Sequence, residues 1–214
     1  AANGIASFES GTHDSFFLML DLLEETLDQR IVRWREQEMN LLQNEGSSMP
    51  NIILDENASH DHSFYQGHSP QHDIASRALR HETLYLEKTR IMSEIASALD
   101  YIHAQGVVFR DLKPQNIGFS AETNSVQIFD FGLSRELPTL DTSAPFSMSG
   151  KVGTLRYMAP EVATNQAYNI SSDVYSWAIV SYELLSLEKP FDGWTRDLHA
   201  DLVCFSTCQH IVDT

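Results

Sequence analysis

Lysine is scarce in this sequence: four in 214 residues, at positions 88, 113, 151 and 189. With arginine the cations number 14 against 30 carboxylates, a formal charge of -16. Nucleic-acid binding depends on a cationic face that displaces counterions, so that class is disfavoured. Docking on anionic lipid is disfavoured for the same reason. Cysteine is nearly absent too. Cys204 and Cys208 stand close together near the C-terminus and cannot staple the whole chain. With His210 they make three candidate zinc ligands, one short of a closed structural site. Long apolar runs are also missing. The longest, Phe16 to Leu20, is far too short for a bilayer and leads into Asp21, Glu24 and Glu25, unlike a secretory signal. The expectation is an intracellular, cytoplasmic chain with no membrane segment. What is present is enough apolar material for one packed domain: 42% hydrophobic and 10% aromatic residues.

Residues 16–23 read as a short apolar strand running into an acidic turn. Thr26 is placed to cap a helix that carries Leu27, Ile31, Trp34 and Gln37 on one face. From 43 to 73 the periodicity collapses. Gly46, Pro50, Gly67 and Pro70 interrupt a polar stretch, which reads as a disordered insertion. His60, His62, His68 and His72 lie in it, and a solvated loop is the plainer reading of them than a metal site. Thr83 to Gln105 reads as a long amphipathic helix with Leu84, Ile91, Ile95, Leu99 and Ile102 on one stripe and Gly106 just past its end. Short β-like runs follow at 107–109 and 126–129, with a charged loop between them. Residues 133–154 have no period. Ser172 to Ser186 reads as an unusually apolar helix buried on several sides, stopped by Lys189-Pro190.

The chemistry concentrates in two acidic loops at strand-like ends. One is Arg110-Asp111-Leu112-Lys113-Pro114-Gln115-Asn116 and the other Asp130-Phe131-Gly132. Two carboxylates, an amide and an ammonium are the set a phosphoryl-transfer site needs. One carboxylate takes the proton of the attacking hydroxyl, a second acts with an amide oxygen on a hard cation, and an ammonium neutralises the transferred group. Further on come Gly153-Thr154-Leu155-Arg156-Tyr157-Met158-Ala159-Pro160-Glu161 and Ser172-Asp173-Val174-Tyr175-Ser176-Trp177. In their order and spacing these four segments resemble the catalytic loop, metal-binding motif, activation-segment end and central helix of the eukaryotic protein kinase family. Lys113 followed by Pro114-Gln115-Asn116 resembles the serine/threonine form of the loop.

The resemblance implies an α+β, protein-kinase-like fold, mostly the helical C-terminal lobe with the last small-lobe strand and the hinge at 16–23. The large lobe would span 83–203 and an atypical tail 204–214. It implies ATP and Mg²⁺ as cofactors and a protein bearing serine or threonine as substrate. By position, Asp111 would be the catalytic base and Lys113 the contact to the γ-phosphate. Asn116 and Asp130 would hold the metal. Leu20 would guard the back of the adenine pocket, with Asp21 to Leu23 as the hinge. Thr154 would bridge Asp111 and Lys113. Asp173 would fix the catalytic-loop backbone, a structural part. Arg110 would meet a phosphate on the activation segment, where Thr142, Ser143, Ser147 and Ser149 are the candidates.

The chain also departs from the family. Phe109 stands where His or Tyr is usual, keeping an apolar stack with Phe131. Gly118 stands where a larger apolar residue floors the adenine ring. No G-x-G-x-x-G occurs, and no lysine precedes Lys88. The resemblance starts at the last small-lobe strands and decays near Val203, so the chain reads as a kinase domain truncated at both ends. The alternative is a catalytically inactive, kinase-derived binding module.

Overall fold

A computed structural model describes residues 7–8, 15–16, 22–46, 70–139, 144–150, 152–195 and 198. Two short strands come first, β1 (Ser7–Phe8) and β2 (Ser15–Phe16), paired antiparallel. Then follow β3 (Leu23–Thr26), the helix α1 (Leu27–Gly46) and the long helix α2 (Pro70–Ala104). Four short strands come next: β4 (Val107–Val108), β5 (Ile117–Ser120), β6 (Val126–Ile128) and β7 (Arg135–Glu136). The one-turn helix α3 (Pro160–Ala163) and the helix α4 (Ser171–Ser186) close the described order.

The start of α1 is written in its first four residues. Thr26 donates its backbone N–H to the Gln29 side chain at 2.8 Å, and Gln29 N–H reaches back to the Thr26 hydroxyl at 3.4 Å. This reciprocal cap satisfies two donors that a helix N-terminus leaves open. Leu27, Ile31 and Trp34 are buried as their spacing predicts, while Gln37 lies exposed on the same face. Helix α2 starts at Pro70, thirteen residues before the predicted Thr83. Its extra turns carry Leu79 in water, so apolar periodicity alone does not mark them. Helix also occupies both ends of the predicted insertion, 43–46 and 70–73, and residues 47–69 lie outside the described residues. At the far end Gly106 takes φ 72°, the left-handed conformation that ends a helix without a Cβ clash.

The predicted acidic turn is strand instead: Leu23-Glu24-Glu25-Thr26 pairs antiparallel with β5, Leu23 opposite Ser120 and Thr26 opposite Gly118. Part of the predicted charged loop is strand as well, since β5 is the centre of the sheet β3-β5-β6. The side chains of Ile117 and Phe119 join the core against α1, α2 and α4. Arg30 is buried among these elements. Its guanidinium lies 3.3 Å above the Phe119 ring and bonds Glu25 at 2.6 Å and the Asn124 side chain at 2.8 Å. One cation thereby ties α1 to β3 and the β5–β6 turn, and its burial is tolerated because it is paired.

Helix α4 is less enclosed than its apolar sequence predicts. Val174, Tyr182 and Leu185 are 51%, 51% and 43% exposed, while Ser172, Asp173, Ser176, Ser181 and Glu183 are buried. Its last carbonyls receive cations: Lys88 Nζ bonds Leu185 O at 3.1 Å and Arg35 Nε bonds Leu187 O. Positive charge at that end favours the helix dipole. Burial pushes the Lys88 ammonium below the usual lysine range. Among the described residues no helix is long and apolar enough to cross a membrane.

Candidate active site

The loop between β4 and β5 is fixed by a carboxylate from another element. Asp173, fully buried in the first turn of α4, accepts the N–H of Phe109 at 2.7 Å and that of Arg110 at 2.8 Å. His103 Nε2, at the end of α2, lies 2.9 Å from the same carboxylate. Three bonds to one buried anion explain how Arg110 is kept at φ 72°, a conformation costly for a residue with a Cβ. The expectation for Asp173 and the loop backbone is met. His103 is the partner that sequence reasoning missed, because nothing in a helix-end histidine reveals a contact seventy residues away.

The same loop brings three of the predicted site residues together. Asp111 is 7% exposed and both of its carboxylate oxygens are engaged. Oδ1 accepts the Thr154 N–H and the Thr154 hydroxyl, each at 3.0 Å. Oδ2 accepts Lys113 Nζ at 2.7 Å and Asn116 Nδ2 at 3.2 Å. Lys113 Nζ is also 3.1 Å from the Thr154 hydroxyl, so the threonine bridges acid and ammonium as predicted. Gly153, at φ 105°, makes this possible: a Cβ there would stand 2.6 Å from Arg110 O. Asn116 spends its amide N–H groups on Asp111, with a second bond to Asp111 O at 2.9 Å, and keeps its side-chain oxygen as an acceptor.

Asp130 approaches along the sheet. Phe129 N–H bonds Asn116 O at 3.1 Å, extending the β5–β6 ladder by one pair and bringing Asp130 to the same sheet end as Asn116. Asp130 is exposed, in the left-handed region at φ 66°, with its carboxylate accepting Gly132 N–H at 3.4 Å. The Phe131 ring after it packs edge-on against Phe109 at 5.1 Å, so the predicted apolar stack is present. A carboxylate with open acceptor sites and an amide oxygen at one sheet end suit a hard, oxygen-seeking cation such as Mg²⁺. Among the described residues no cluster of three His, Cys, Asp or Glu suits a metal held by protein alone.

Of the residues predicted on the base side, Leu20 and Asp21 lie outside the described residues. Leu23 is half-buried over Gly118, where a Cβ would meet its Cδ1 at 2.7 Å and Phe129 Cε1 at 3.2 Å. On the other side Arg110 bonds Leu133 O and, at 3.0 Å each, the hydroxyls of Ser149 and Tyr168. Of the candidate phosphorylation sites, Ser149 is therefore the one at the guanidinium, and Thr142 and Ser143 lie outside the described residues. So do Cys204, Cys208, His210, His60, His62 and His68.

One further group was not foreseen. Glu183 of α4 is fully buried and its Oε2 accepts the Tyr157 hydroxyl at 2.7 Å, while Oε1 has no partner among the described residues. Burial pushes the carboxyl above its ordinary range, opposed by the tyrosine bond. Burial and the neighbouring acid push the Tyr157 hydroxyl up as well.

A family model described as the protein kinase domain matches residues 21–211. Among curated proteins the chain is 40% identical over 109 residues to serine/threonine-protein kinase nekl-2 of Caenorhabditis elegans, covering 50% of this chain and 29% of that protein. It is 39% identical over 103 residues to serine/threonine-protein kinase PknB of Mycobacterium leprae, 48% of this chain and 16% of that protein. It is 38% identical over 127 residues to ribosomal protein S6 kinase alpha-6 of Mus musculus, 58% of this chain and 16% of that protein. The aligned parts thus span less than a third of each of these relatives. A loop clamped by Asp173, an acid–lysine–threonine triangle above it and a match over most of the sequence all agree: the chain belongs to the protein kinase family.

Proposed function

We propose that the chain carries the large-lobe part of a protein serine/threonine kinase, which transfers the γ-phosphate of ATP to a protein hydroxyl. The observation that carries this reading is the double anchoring of Asp111. Each oxygen is held by two donors, so the carboxylate has one orientation before any substrate arrives. An acceptor hydroxyl beside it would be oriented and would give up its proton to Asp111 as the new O–P bond forms. Lys113 carries the positive charge in the same triangle and would face the transferred phosphoryl group. Thr154 restrains both side chains. Asn116 and Asp130 would hold Mg²⁺, which when bound supplies charge neutralisation at the phosphate oxygens. Leu20, Asp21 and Leu23 would line the adenine side, and the partition at 16–23, 83–203 and 204–214 belongs to this same reading.

The test is radiolabel transfer from ATP to a serine- or threonine-bearing protein, with the wild-type chain and Asp111→Asn compared. The expected result is a loss of turnover of about 10²–10⁴-fold with Mg-ATP binding retained. Equal turnover in the variant would remove Asp111 from its role. A second reading is a kinase-derived binding module without transfer. Its mark would be Mg-ATP binding, or none, with no transfer in either protein.

A further inference from the structure

Away from this site a cleft of about 500 Å³ opens between α1 and the first half of α2. From α1 it takes Trp34, Gln37, Glu38 and Leu41, whose spacing puts them on one helix face. From α2 it takes Arg77, Arg80, Leu84 and Glu87, again one face, with Leu79 and His81 at the edge. The floor is apolar, and two rim leucines are open to water, Leu41 at 44% and Leu79 at 65% exposure. The size and lining are those of small-molecule sites rather than of a packing defect.

The charges around it are not balanced in effect. Glu87 is engaged by Arg30 at 3.4 Å, and Glu38 interacts with the ammonium of Lys88. Arg77 also has a partner. Arg80 and His81, both exposed, have none among the described residues. The acids of the cleft are therefore answered from within the protein, and the open charge on its rim is positive.

We propose that this cleft binds a small amphiphilic carboxylate, its alkyl or aryl body against Trp34, Leu41 and Leu84 and its acid group at Arg80 and His81. The apolar body removes Leu41 and Leu79 from water, the main favourable contribution. The Arg80 guanidinium, with the His81 ring as a further hydrogen-bond donor, selects an acid over a neutral molecule of the same shape. This site is separate from the Asp111 loop and does not depend on the kinase reading.

The experiment is calorimetric titration of the full chain with decanoate and with decanol, both kept below their aggregation limits, alongside tryptophan emission. Decanoate is expected to bind one to one with a Kd of about 50 µM, in keeping with its dozen or so heavy atoms. Decanol should bind at least about tenfold more weakly, and Arg80→Glu should weaken decanoate by a similar factor with thermal melting unchanged. Trp34→Phe should abolish the emission change and weaken the binding heat, since Trp34 lines the apolar floor. No binding by the wild type, equal binding of decanol, or unchanged affinity in Arg80→Glu each overturns the proposal. So does a concentration-dependent dimer that Leu79→Glu abolishes, since the face would then belong to a second copy.

Discussion

The two acidic loops of the candidate site are held in opposite ways. The loop around Asp111 is surrounded by protein: Asp173 and His103 fix its backbone, and Lys113, Asn116 and Thr154 fix its carboxylate. The loop around Asp130 is held at its ends, by Phe129 N–H on Asn116 O, by Arg110 on Leu133 O and by the edge of Phe131 on Phe109, but its carboxylate accepts only one long bond, from Gly132. Both contain a side-chain-bearing residue in the left-handed region, Arg110 at φ 72° and Asp130 at φ 66°. In the first, several strong bonds offset that strain. In the second the residues on either side are bonded, but the Asp130 carboxylate itself has only the 3.4 Å bond from Gly132. The fold thus orients the proposed proton acceptor in advance and leaves the proposed cation ligand to be organised by what it binds.

The largest expected effect comes from breaking the first arrangement at its anchor. Asp173→Ala leaves the buried Phe109 N–H and His103 ring and the half-buried Arg110 N–H without their acceptor. Each such orphan costs about 1–3 kcal/mol, so a loss of about 3–5 kcal/mol is expected in urea unfolding. A change under 1 kcal/mol would mean that the loop is held mainly by its apolar neighbours.

Much of this arrangement is legible in the sequence. The start of the helix at Leu27 announces itself through its cap and spacing and the helix of 171–186 through its apolar spacing, while the last turn of the first, 43–46, does not; the four motifs fix which loops matter. Thr154 meeting Asp111 and Lys113 follows from the resemblance alone. What stays hidden is whatever depends on distant partners. Strand β5 is Ile-Gly-Phe-Ser, four residues with a glycine, and only its neighbours on both sides make it a strand. Glu24 and Glu25 read as a turn because charge suggests solvent, yet Arg30 and Arg33 bond Glu25 from the next helix. The buried polar face of α4 is equally unreadable, since Glu183 has no sequence neighbour that explains it.

Glu183 is the next place to test the comparison, because it too is a buried acid but an incompletely satisfied one. Its folded pKa lies above the ordinary 4.5, with burial as the first cause. The folded state therefore binds the proton more tightly than the unfolded state. Its contribution to stability is fully present below about pH 4.5 and is lost as pH rises through the raised folded value. Glu183→Gln should remove that decline, so the stability difference between variant and wild type should grow in the variant's favour from pH 4 to pH 8. Tyr157→Phe should do the reverse: it removes a bond to the acid, costs about 1.5–3 kcal/mol, and moves the decline to higher pH. Parallel curves for wild type and Glu183→Gln would show that the acid is solvated after all.

A smaller effect is expected at Gly118, where Leu23 fills the space a side chain would take. Gly118→Ala puts a Cβ 2.7 Å from Leu23 Cδ1, and the leucine tip must move. Since that tip is flexible, the cost should be about 1–2 kcal/mol. Leu23→Ala in the same chain should recover most of it, a coupling that a double-mutant cycle measures directly. Additive losses would show that the two residues do not compete for one space.

The smallest effect is expected at Asp130, and it bears most directly on the contrast between the loops. Its carboxylate is exposed and accepts a single 3.4 Å bond, so Asp130→Ala should change stability by no more than about 0.5 kcal/mol. Asp130→Gly should be neutral or stabilising by up to about 1 kcal/mol. Glycine takes φ 66° without the Cβ penalty, although it also enlarges the freedom of the unfolded chain. Either variant should abolish any rise in melting temperature produced by Mg-ATP, because under the proposed function this carboxylate acts only once the cation is present. A loss of several kcal/mol in Asp130→Ala without ligand would mean that this loop, like its neighbour, is already fixed by the fold. The contrast between a preformed base and a ligand-organised cation site would then be wrong.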